Sequence, residues 1–407
     1  MSKSINVILC IILTVCFTFS FIVYPAAART MPISNGDSAT IQDAINQAAP
    51  GDTVLIPAGE YTINKTVVIN KPLILKGAGT AQTTLVSGNV ASFSISADDV
   101  RIEGIKFVGR PGTTDDRAIN VGNVRDFCII NCEFNNISRA GVVVTGDDAR
   151  GVISGSDFID IYAGSGVVVY GEGSSNWNKP LDLGSQNAVF VEDCYFLRNW
   201  HGIASNNGSK YVFRYNEVED CVDQHQGVDA HGLEYGSARG SRSYEIYNNN
   251  LHNSTPHYAG VWIRGGDGVI FNNSIDASNT FGILVSHLMG TLDPAVTYPA
   301  PDQATVLYAW GNTHAGNPTG VNIRSGHEHL FQEGRDFFNT EMPGYTPYTY
   351  PHPLTAEPTP AVPVEWQSKA DFSNGVYSLG AGNTGSLLTR FDFRLESADT
   401  GFIIGYA

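Results

Sequence analysis

Short apolar segments return at regular intervals along most of the chain. Segments such as residues 129–134 and 246–251 begin with an apolar residue, continue through mostly polar residues and end on an apolar anchor. The anchors are spaced 22 to 38 residues apart, at Phe107, Phe134, Phe158, Phe196, Val218, Leu251 and Ile275. A repeat of this length indicates a solenoid, in which each repeat forms one coil and neighbouring coils bury a common core.

A second element follows each anchor and consists of a glycine and a short alternating strand. When the glycine is counted as zero, positions +1 and +3 are mostly apolar and should face the core, so positions +2 and +4 face solvent. The glycines are Gly141, Gly166, Gly202, Gly232, Gly260, Gly282 and Gly320. The Leu-x-x-Leu-x-Leu spacing of leucine-rich repeats is absent. The pattern therefore predicts an all-β fold, a parallel β-helix.

Stacked coils turn equivalent positions into ladders of side chains. One such column contains Ile105, Cys132, Ser156, Cys194, Asn216, Asn249 and Asn273. Its last three members predict an asparagine ladder at a tight turn, because asparagine tolerates the left-handed conformation and its amides bond along the stack. Cys132 and Cys194 lie two coils apart, about 9.6 Å, which is beyond disulfide reach. We therefore expect no disulfide among Cys128, Cys132, Cys194 and Cys221.

The N-terminus contains a long apolar run. Lys3 precedes an apolar stretch from Val7 to Tyr24, and three alanines end at Ala28. A basic start, an apolar core and small residues at the end are typical of a secretory signal. We expect residues 1–28 to be cleaved and the protein to be secreted or held at the cell surface. An uncleaved membrane anchor is the alternative.

The C-terminal quarter departs from the repeat. Residues 344–354 are rich in aromatic residues and proline, and we expect them to pack along the solenoid and close a domain that spans residues 29–350. Residues 351–365 are Pro-rich and predict a stiff linker. Residues 366–407 hold alternating apolar segments but are too few for an independent sandwich. They are interpreted either as the start of a β module that the sequence cuts short or as a small docked sheet.

Composition narrows the class of partner. The chain has 24 Lys and Arg residues against 40 Asp and Glu residues, a formal net charge of −16, whereas a nucleic-acid surface needs a basic face. Charged residues are 16% of the chain and 43 of its 407 residues are glycine, which suits short strands joined by turns. A single long apolar run excludes a multi-span membrane protein.

Two segments near the start of the repeat carry a family resemblance. Residues 40–45 read Thr-Ile-Gln-Asp-Ala-Ile, and residues 49–61 read Ala-Pro-Gly-Asp-Thr-Val-Leu-Ile-Pro-Ala-Gly-Glu-Tyr. Together they resemble the opening of pectate lyase-like right-handed parallel β-helix proteins, over about residues 36–330. The resemblance implies a capping helix with an apolar stripe of Ile41, Ala44, Ile45 and Ala48. It does not imply a reaction, since the fold also serves hydrolases, lyases, epimerases and non-catalytic surface proteins.

Polar and aromatic residues collect on the outward positions of the middle coils. The predicted +2 and +4 positions there hold Asn206, Glu234, Trp262 and Arg264, and Arg324 stands in the same column further on. In the proteins that this chain resembles, the equivalent strand floors a saccharide groove. We therefore expect a polysaccharide partner, with Trp262 stacking on a sugar ring.

Histidines are concentrated in the same region. All ten lie between His201 and His352. The pattern places His201 and His231 in one column just before the Gly-led strands, and His225 in an enlarged loop over residues 221–229. A second enlarged loop follows over residues 236–242, and enlarged loops on both sides of one strand predict groove walls.

A uronate lyase would use these residues in three roles. Arg264 suits the sugar carboxylate because its planar fork binds carboxylates bidentately. The candidates for the base that removes the C5 proton are His231 and Tyr258, and those for the acid are His201, His225 and His257. The alternative is that His201 and His231 turn inward as a buried, hydrogen-bonded pair.

Two other function classes stay open. A glycoside hydrolase needs two carboxylates, for which Asp229 and Glu234 are the nearby candidates. A non-catalytic adhesion protein needs no convergent site at all. Among these classes we favour a secreted carbohydrate-active enzyme of the lyase type, acting as a monomer.

A calcium ion is conceivable in one outward column of acidic residues. Glu133, Asp157 and Glu217 share that column, but we favour the interpretation that they form a solvated acidic stripe. We assign no metal ligands from the sequence, because the cysteine spacing matches no zinc pattern.

Overall fold

The protein is described here by a computed structural model over residues 28–357, apart from residues 111, 113–115, 174–176, 235–236 and 294. All but Ala28 of the expected signal segment lies outside the described residues. The same holds for the linker beyond residue 357 and for the C-terminal module over residues 366–407. These three assignments therefore stay predictions.

Three parallel sheets, here named A, B and C, run the length of the described chain. Each coil contributes one strand to each sheet in the order A, B, C, and successive coils pair in register. The pairing is parallel throughout these sheets except for a terminal hairpin between Thr313–His314 and Asn317–Pro318. The predicted parallel β-helix is confirmed.

The strands are short because each spans one side of a coil. Sheet A contains Thr30–Pro32, Thr53–Leu55, Ile74–Lys76, Arg101–Glu103, Phe127–Ile130, Gly151–Ser154, Val189–Glu192, Lys210–Arg214, Ser243–Tyr247, Asp267–Phe271, Leu307–Trp310 and Phe337–Phe338. Sheet B contains Gly59–Ile63, Thr83–Ser87, Lys106–Val108, Glu133–Asn135, Asp157–Ile159, Tyr195–Leu197, Glu217–Glu219, Asn250–His252, Ser274–Ile275, Thr313–His314 and Asn317–Pro318. Sheet C contains Val67–Ile69, Phe93–Ile95, Arg117–Val121, Ala140–Thr145, Ser165–Tyr170, His201–Asn206, Val228–Ala230, His257–Ile263, Asn279–Val285 and Val321–Ile323.

The core is built from the apolar anchors of sheet B and the inward positions of sheets A and C. Phe107, Phe134, Phe158 and Phe196 form a continuous stack with centroid distances of 5.1, 4.7 and 4.8 Å. The anchors also explain why several sheet C strands have a glycine at their start. A Cβ atom on Gly141 would lie 2.7 Å from the Phe158 ring, so a larger residue would collide with the core.

One α-helix covers the N-terminal coil. Helix α1 spans Ser38–Gln47 and begins after Asp37, whose carboxylate accepts a hydrogen bond from the Thr40 amide at 2.8 Å. Its apolar stripe packs on the first coil, with Ile41, Ala44 and Ile45 buried. The predicted capping helix is confirmed. Two single-turn 3-10 helices, Val222–Gln224 and Pro353–Thr355, are also present, and no helix among the described residues is long and apolar enough to cross a membrane.

The predicted asparagine ladder is also confirmed and extends by one coil. Each amide donates to the side-chain oxygen of the next member at 2.9 to 3.1 Å, in the order Asn216, Asn249, Asn273 and Asn312. The four cysteines of the described chain are buried and free, as expected. Burial raises the pKa of the Cys128 and Cys221 thiols to about 12, so these groups stay protonated and inert.

Residues 344–354, the closing segment, lie against the outer face of sheet A. Arg214 is fully buried there and donates to the backbone carbonyls of Tyr348 and Thr349, each at 2.8 Å. Its charge is matched by Glu192, at 2.7 Å, and Glu192 in turn accepts from the backbone amide of His352 at 2.8 Å. Buried charges on sheet A therefore hold the closing segment through its backbone.

Candidate functional site

The register of one coil differs from the prediction and decides how the site is assembled. Val228–Ala230 is the sheet C strand of this coil, and Asp229 pairs with Ala204 on one side and Trp262 on the other. Gly227 therefore opens the strand, and the prediction that Gly232 opens it is wrong. Gly232 lies in the turn that leaves the sheet, where a Cβ atom would meet two backbone carbonyl oxygens at 2.5 Å.

The corrected register produces two continuous outward rows. The +2 row runs through Ala204, Asp229, Trp262, Leu284 and Asn322. The +4 row runs through Asn206, His231, Arg264, Ser286 and Arg324, as the backbone hydrogen bonds that continue the ladder show. His231 is thus a neighbour of Asn206, and the predicted column shared by His201 and His231 is wrong. The side chain of His231 faces outward, so the alternative, an inward-facing pair of His201 and His231, does not form.

Asp229, His231, Glu234 and Arg264 form one hydrogen-bonded group, here called the acid–base cluster. The imidazole of His231 lies between two carboxylates, with Nε2 at 2.6 Å from Oδ2 of Asp229 and Nδ1 at 2.7 Å from Oε2 of Glu234. Arg264 donates from Nε to Oδ1 of Asp229 at 3.0 Å, and its Nη2 contacts the other carboxylate oxygen. Two carboxylates and two basic side chains are therefore in contact.

Charge pairing explains the protonation states in this cluster. Burial opposes ionisation of the Asp229 carboxyl, but the charges of Arg264 and His231 outweigh it and hold the pKa of Asp229 well below its usual range. Burial likewise opposes the charged form of His231, but Asp229 and Glu234 raise the pKa of His231 above its ordinary value. Both ring nitrogens lie within hydrogen-bonding distance of carboxylate oxygens, which favours the doubly protonated ring, while Nη2 of Arg264 lies 2.7 Å from Nε2 and 3.1 Å from Nδ1.

Glu234 is the accessible acid of the cluster. Its side chain is 42% exposed, whereas Asp229 is fully buried. The hydrogen bond from His231 lowers the pKa of Glu234. Asn206 donates to Glu234 at 3.1 Å and to Ser237 at 2.8 Å, and so fixes the described part of the wall loop, residues 232–234 and 237–242, against the sheet.

His201 and His225 lie behind the cluster. The Nδ1 of His201 donates to the backbone carbonyl of Gln226 at 2.8 Å, and its Nε2 is 3.6 Å from Oδ2 of Asp229. Burial lowers the pKa of His201 to about 4, so its imidazole is neutral at physiological pH. The His225 ring packs edge-on against His201 at 5.1 Å, and burial lowers its pKa as well.

His257 is not at the edge of the site, contrary to expectation. The residue is buried, and its two ring nitrogens lie 2.7 Å from the carbonyl oxygen of Thr255 and 2.6 Å from that of Cys221. Both nitrogens are used in bracing the backbone. The imidazole therefore has no free position for a substrate.

Tyr258, Trp262 and Arg324 form an aromatic and cationic patch beside the cluster, here called the arginine–aromatic patch. The two rings lie 5.2 Å apart, and the Arg324 guanidinium carbon lies 5.2 Å from the Trp262 ring and 5.6 Å from the Tyr258 ring. Within the described residues Arg324 forms no ion pair. Arg264 differs, because its guanidinium is engaged by Asp229 and only 14% of its side chain is exposed.

The chain also matches a known family over the coils that carry these residues. Residues 94–287 fit the family model described as right handed beta helix region. The fold of the described chain is a right-handed parallel β-helix. No curated protein sequence matches it.

Several solved β-helix structures are similar to this one. An alginate lyase from Paenibacillus sp. str. FPU-7 is 14% identical with a TM-score of 0.49, covering 72% of this chain and 99% of that chain. The catalytic domain of a GH87 alpha-1,3-glucanase is 12% identical with a TM-score of 0.39, covering 77% of this chain and 69% of that chain. The pectin methylesterase PemA from Erwinia chrysanthemi is 13% identical with a TM-score of 0.37, covering 72% and 90%. At these identities and TM-scores the similarity supports no conclusion about this chain.

Among the described residues, one group of side chains resembles a metal site. Ligand atoms of His201, Asp229 and His231 lie within 4.8 Å of one another. Arg264, however, already occupies both oxygens of Asp229 and brings a positive charge to the same point, so the grouping does not fit a cation. The carboxylates of the acidic column do not all come together at one point either. Tyr195 lies between Asp157 and Glu217.

Two residues of the site were not singled out from the sequence. Ser286 accepts a hydrogen bond from the indole nitrogen of Trp262 at 2.9 Å and so orients the ring, and Ser237 accepts from Asn206. Serines are common in turns and on strand surfaces, and nothing in the repeat marks these two. Only the place of Ser286 in the +4 row could have suggested a role.

Proposed function

We propose that this β-helix protein is a carbohydrate-active enzyme that cleaves an acidic polysaccharide by β-elimination. The observation that carries the proposal is Arg324, a guanidinium without a carboxylate partner in the described residues, held over the Tyr258 and Trp262 rings beside the acid–base cluster. A free arginine fork next to an aromatic face matches a uronate residue, which offers a carboxylate and an apolar ring face.

The chemistry of the elimination divides between the two groups of residues. A base removes the C5 proton, the electron pair forms the C4–C5 double bond, the C4–O bond breaks, and the departing oxygen receives a proton. Arg324 would hold the carboxylate on which negative charge develops. Tyr258, which faces the same guanidinium, is the candidate base in this scheme.

His231 is the candidate proton donor. Asp229 and Glu234 raise the pKa of His231 and so favour its charged form, which can give a proton to the leaving oxygen. Arg264 acts through Asp229, whose carboxylate it holds in place, and is a positioning residue. This division differs from the sequence-based assignment, in which Arg264 bound the carboxylate and His231 was a candidate base.

Hydrolysis is less well supported by the same geometry. A glycosidase needs one carboxyl group that stays protonated near neutral pH, usually through a raised pKa. The pKa values of Asp229 and Glu234 are both lowered. Neither carboxyl group of the cluster is therefore prepared to act as a general acid.

A substrate panel tests the proposal. The protein from residue 29 onwards would be incubated with alginate, polygalacturonate and hyaluronan, and with neutral polysaccharides as controls. Unsaturated chain ends, detected by their ultraviolet absorbance, are expected from an acidic polymer only. Reducing ends without that absorbance would replace the proposal by hydrolysis. Binding without cleavage would replace it by the adhesion alternative.

Export is part of the proposal and rests on the segment before residue 29. An acidic cell-wall or matrix polysaccharide lies outside the cell, so its enzyme must be exported. Expression in the native host, followed by N-terminal sequencing of the protein in the medium, tests this point. A mature N-terminus at Arg29 is expected.

A further inference from the structure

A groove lies at the corner between sheets A and B, on the outside of the asparagine ladder. Its volume is about 890 Å³, and it crosses four successive coils. We call it the corner groove. It is lined by Asp193, Cys194, Tyr195, Tyr215, Asn216, Glu217, Asn248, Asn249, Asn250, Asn272 and Ser274.

The lining of the corner groove differs in charge from the acid–base cluster and its arginines. None of the described residues that line it is lysine or arginine, and two of them, Asp193 and Glu217, are acidic. The others that reach solvent are amides and hydroxyls, which donate and accept hydrogen bonds without carrying charge. Such a surface repels polyanions and suits a ligand rich in hydroxyl groups.

Tyr215 occupies a position in the corner groove that its residue type does not favour. Its backbone is left-handed, with φ of 55°. The equivalent positions of the other coils hold residues that tolerate this conformation, namely Asn131, Gly155, Asp193, Asn248, Asn272 and Gly311. A tyrosine there costs conformational energy, and a strained residue with an exposed ring indicates a function for the ring. The Tyr215 side chain lies on the surface, with 37% of the residue exposed.

The closing segment supplies a second ring at the same end of the groove. Tyr350 stacks on Tyr215 with a centroid distance of 3.7 Å and donates from its hydroxyl to Asp193 at 2.6 Å. Tyr350 is 42% exposed, and the buried Arg214 lies 5.3 Å beneath its ring. The two tyrosines therefore form a rigid aromatic ledge, and Asn248, Asn250 and Asn272 continue the groove away from it.

We propose that the corner groove binds a neutral polysaccharide chain. The ledge offers a stacking face for a sugar ring, as carbohydrate sites commonly do, and the amides repeat at the coil spacing of about 4.8 Å, close to the length of one sugar unit. Four coils span about 14 Å by this spacing, enough for about three sugar units. The site is separate from the proposed reaction and would hold the protein on a neutral polymer.

Affinity electrophoresis tests this proposal. Native gels would contain hydroxyethyl cellulose, xyloglucan, galactomannan or no polysaccharide. The wild-type protein should be retarded by at least one polymer, and Tyr215→Ala should weaken that retardation about tenfold in apparent Kd, because it removes the stacking face. Tyr215→Phe should keep the retardation. Asn250→Lys, which fills the groove with a long side chain, should weaken it like Tyr215→Ala.

A matched control separates this site from general surface effects. Tyr162 is 49% exposed and does not line the groove, so Tyr162→Ala should be retarded like the wild type. Melting temperatures of all variants report on folding. Absence of retardation in all three polymers would overturn the proposal, and so would equal retardation of the wild type and both groove variants. Cleavage of an acidic polymer is a separate measurement and should be unchanged in Asn250→Lys.

Discussion

Asp229 is the residue around which the candidate site is organised. It occupies an outward position of sheet C and yet is fully buried, because Arg264, His231 and His201 surround its carboxylate. A lone buried carboxylate would be strongly unfavourable, whereas one matched by two cations fixes both of their side chains. The two arginines therefore differ in their partners. Arg264 is paired with Asp229, whereas Arg324 is free to bind a ligand.

Arg324→Ala should weaken the use of an acidic substrate. Loss of the free guanidinium removes a charge-assisted contact with the sugar carboxylate, so we expect KM to rise at least about tenfold and kcat to fall as well. Steady-state kinetics on the polymer that the parent cleaves would measure both. The control is Arg198→Ala, which removes an exposed arginine paired with Asp160. Unchanged kcat/KM in Arg324→Ala would place the carboxylate site elsewhere.

Glu234→Gln should move the pH profile of the reaction. Glu234 helps to raise the pKa of His231, so a neutral amide in its place lowers that pKa. If His231 donates the proton, kcat is lost as pH rises through its pKa, and this loss should begin at lower pH in the variant. A rate–pH curve from acidic to alkaline conditions measures the shift. A shift in the opposite direction would contradict His231 as the donor.

His201 should make the protein less stable in acid. Its folded pKa of about 4 lies below the ordinary value of about 6.5, so the unfolded chain binds the proton first as pH falls. The contribution of neutral His201 to the free energy of unfolding is fully present above about pH 6.5 and is lost as the pH falls towards about 4. Melting temperatures of the wild type and His201→Gln across this range should converge at low pH. A gap that widens as pH falls would contradict the assignment.

At the scale of elements, the asparagine ladder ties neighbouring coils together along one corner. Asn249 accepts from Asn216 and donates to Asn273 and to the Phe213 carbonyl, so its amide serves three coils. Asn249→Ala should lower the free energy of unfolding by about 2 to 3 kcal/mol, because buried partners lose their hydrogen bonds. Denaturant unfolding would measure this. The exposed Asn317, replaced by alanine, is the control and should change stability little.

Most elements of the fold could be predicted from the sequence because each coil repeats the same local rules. Alternation predicts inward and outward positions, and a glycine is required at the start of a sheet C strand where the anchor ring leaves no space for a side chain, as at Gly141 and Gly166. The prediction was wrong for the coil of Asp229 because that coil contains two glycines, Gly227 and Gly232, each followed by an apolar residue. Coil length could not choose between them, since a loop can be inserted on either side of a strand.

The pairing of charges within the site was beyond sequence reasoning for a different reason. Arg264 and Arg324 occupy the same row and are the same residue type, and only the position of Asp229 distinguishes them. His257 likewise follows the local pattern of a groove residue but turns towards the carbonyls of Thr255 and Cys221. The direction and the partners of a side chain depend on contacts between coils. An error of register, whether of one residue or of five, places the wrong side chains beside one another.

At the scale of the whole described chain, the closing segment is fixed by buried charge. Arg214→Ala would leave Glu192 buried without its partner and remove the two bonds to Tyr348 and Thr349. We expect a loss of about 3 to 5 kcal/mol in the free energy of unfolding and faster proteolysis within residues 344–357. Calorimetry and limited proteolysis with mass spectrometry would measure these effects. Arg198→Ala, which removes an exposed pair, should cause neither.

The wall loop over residues 232–242 leaves the solenoid and returns to it without altering the next coil. Strand pairing resumes with Ser243 opposite Lys210, and Arg239 and Gly240 anchor the loop to Asp302. Variation in this loop is therefore uncoupled from the scaffold, so descendants of such a protein can acquire new preferences by exchanging one surface insertion. The repeat keeps the fold stable, and the inserted loop can change under selection for new ligands.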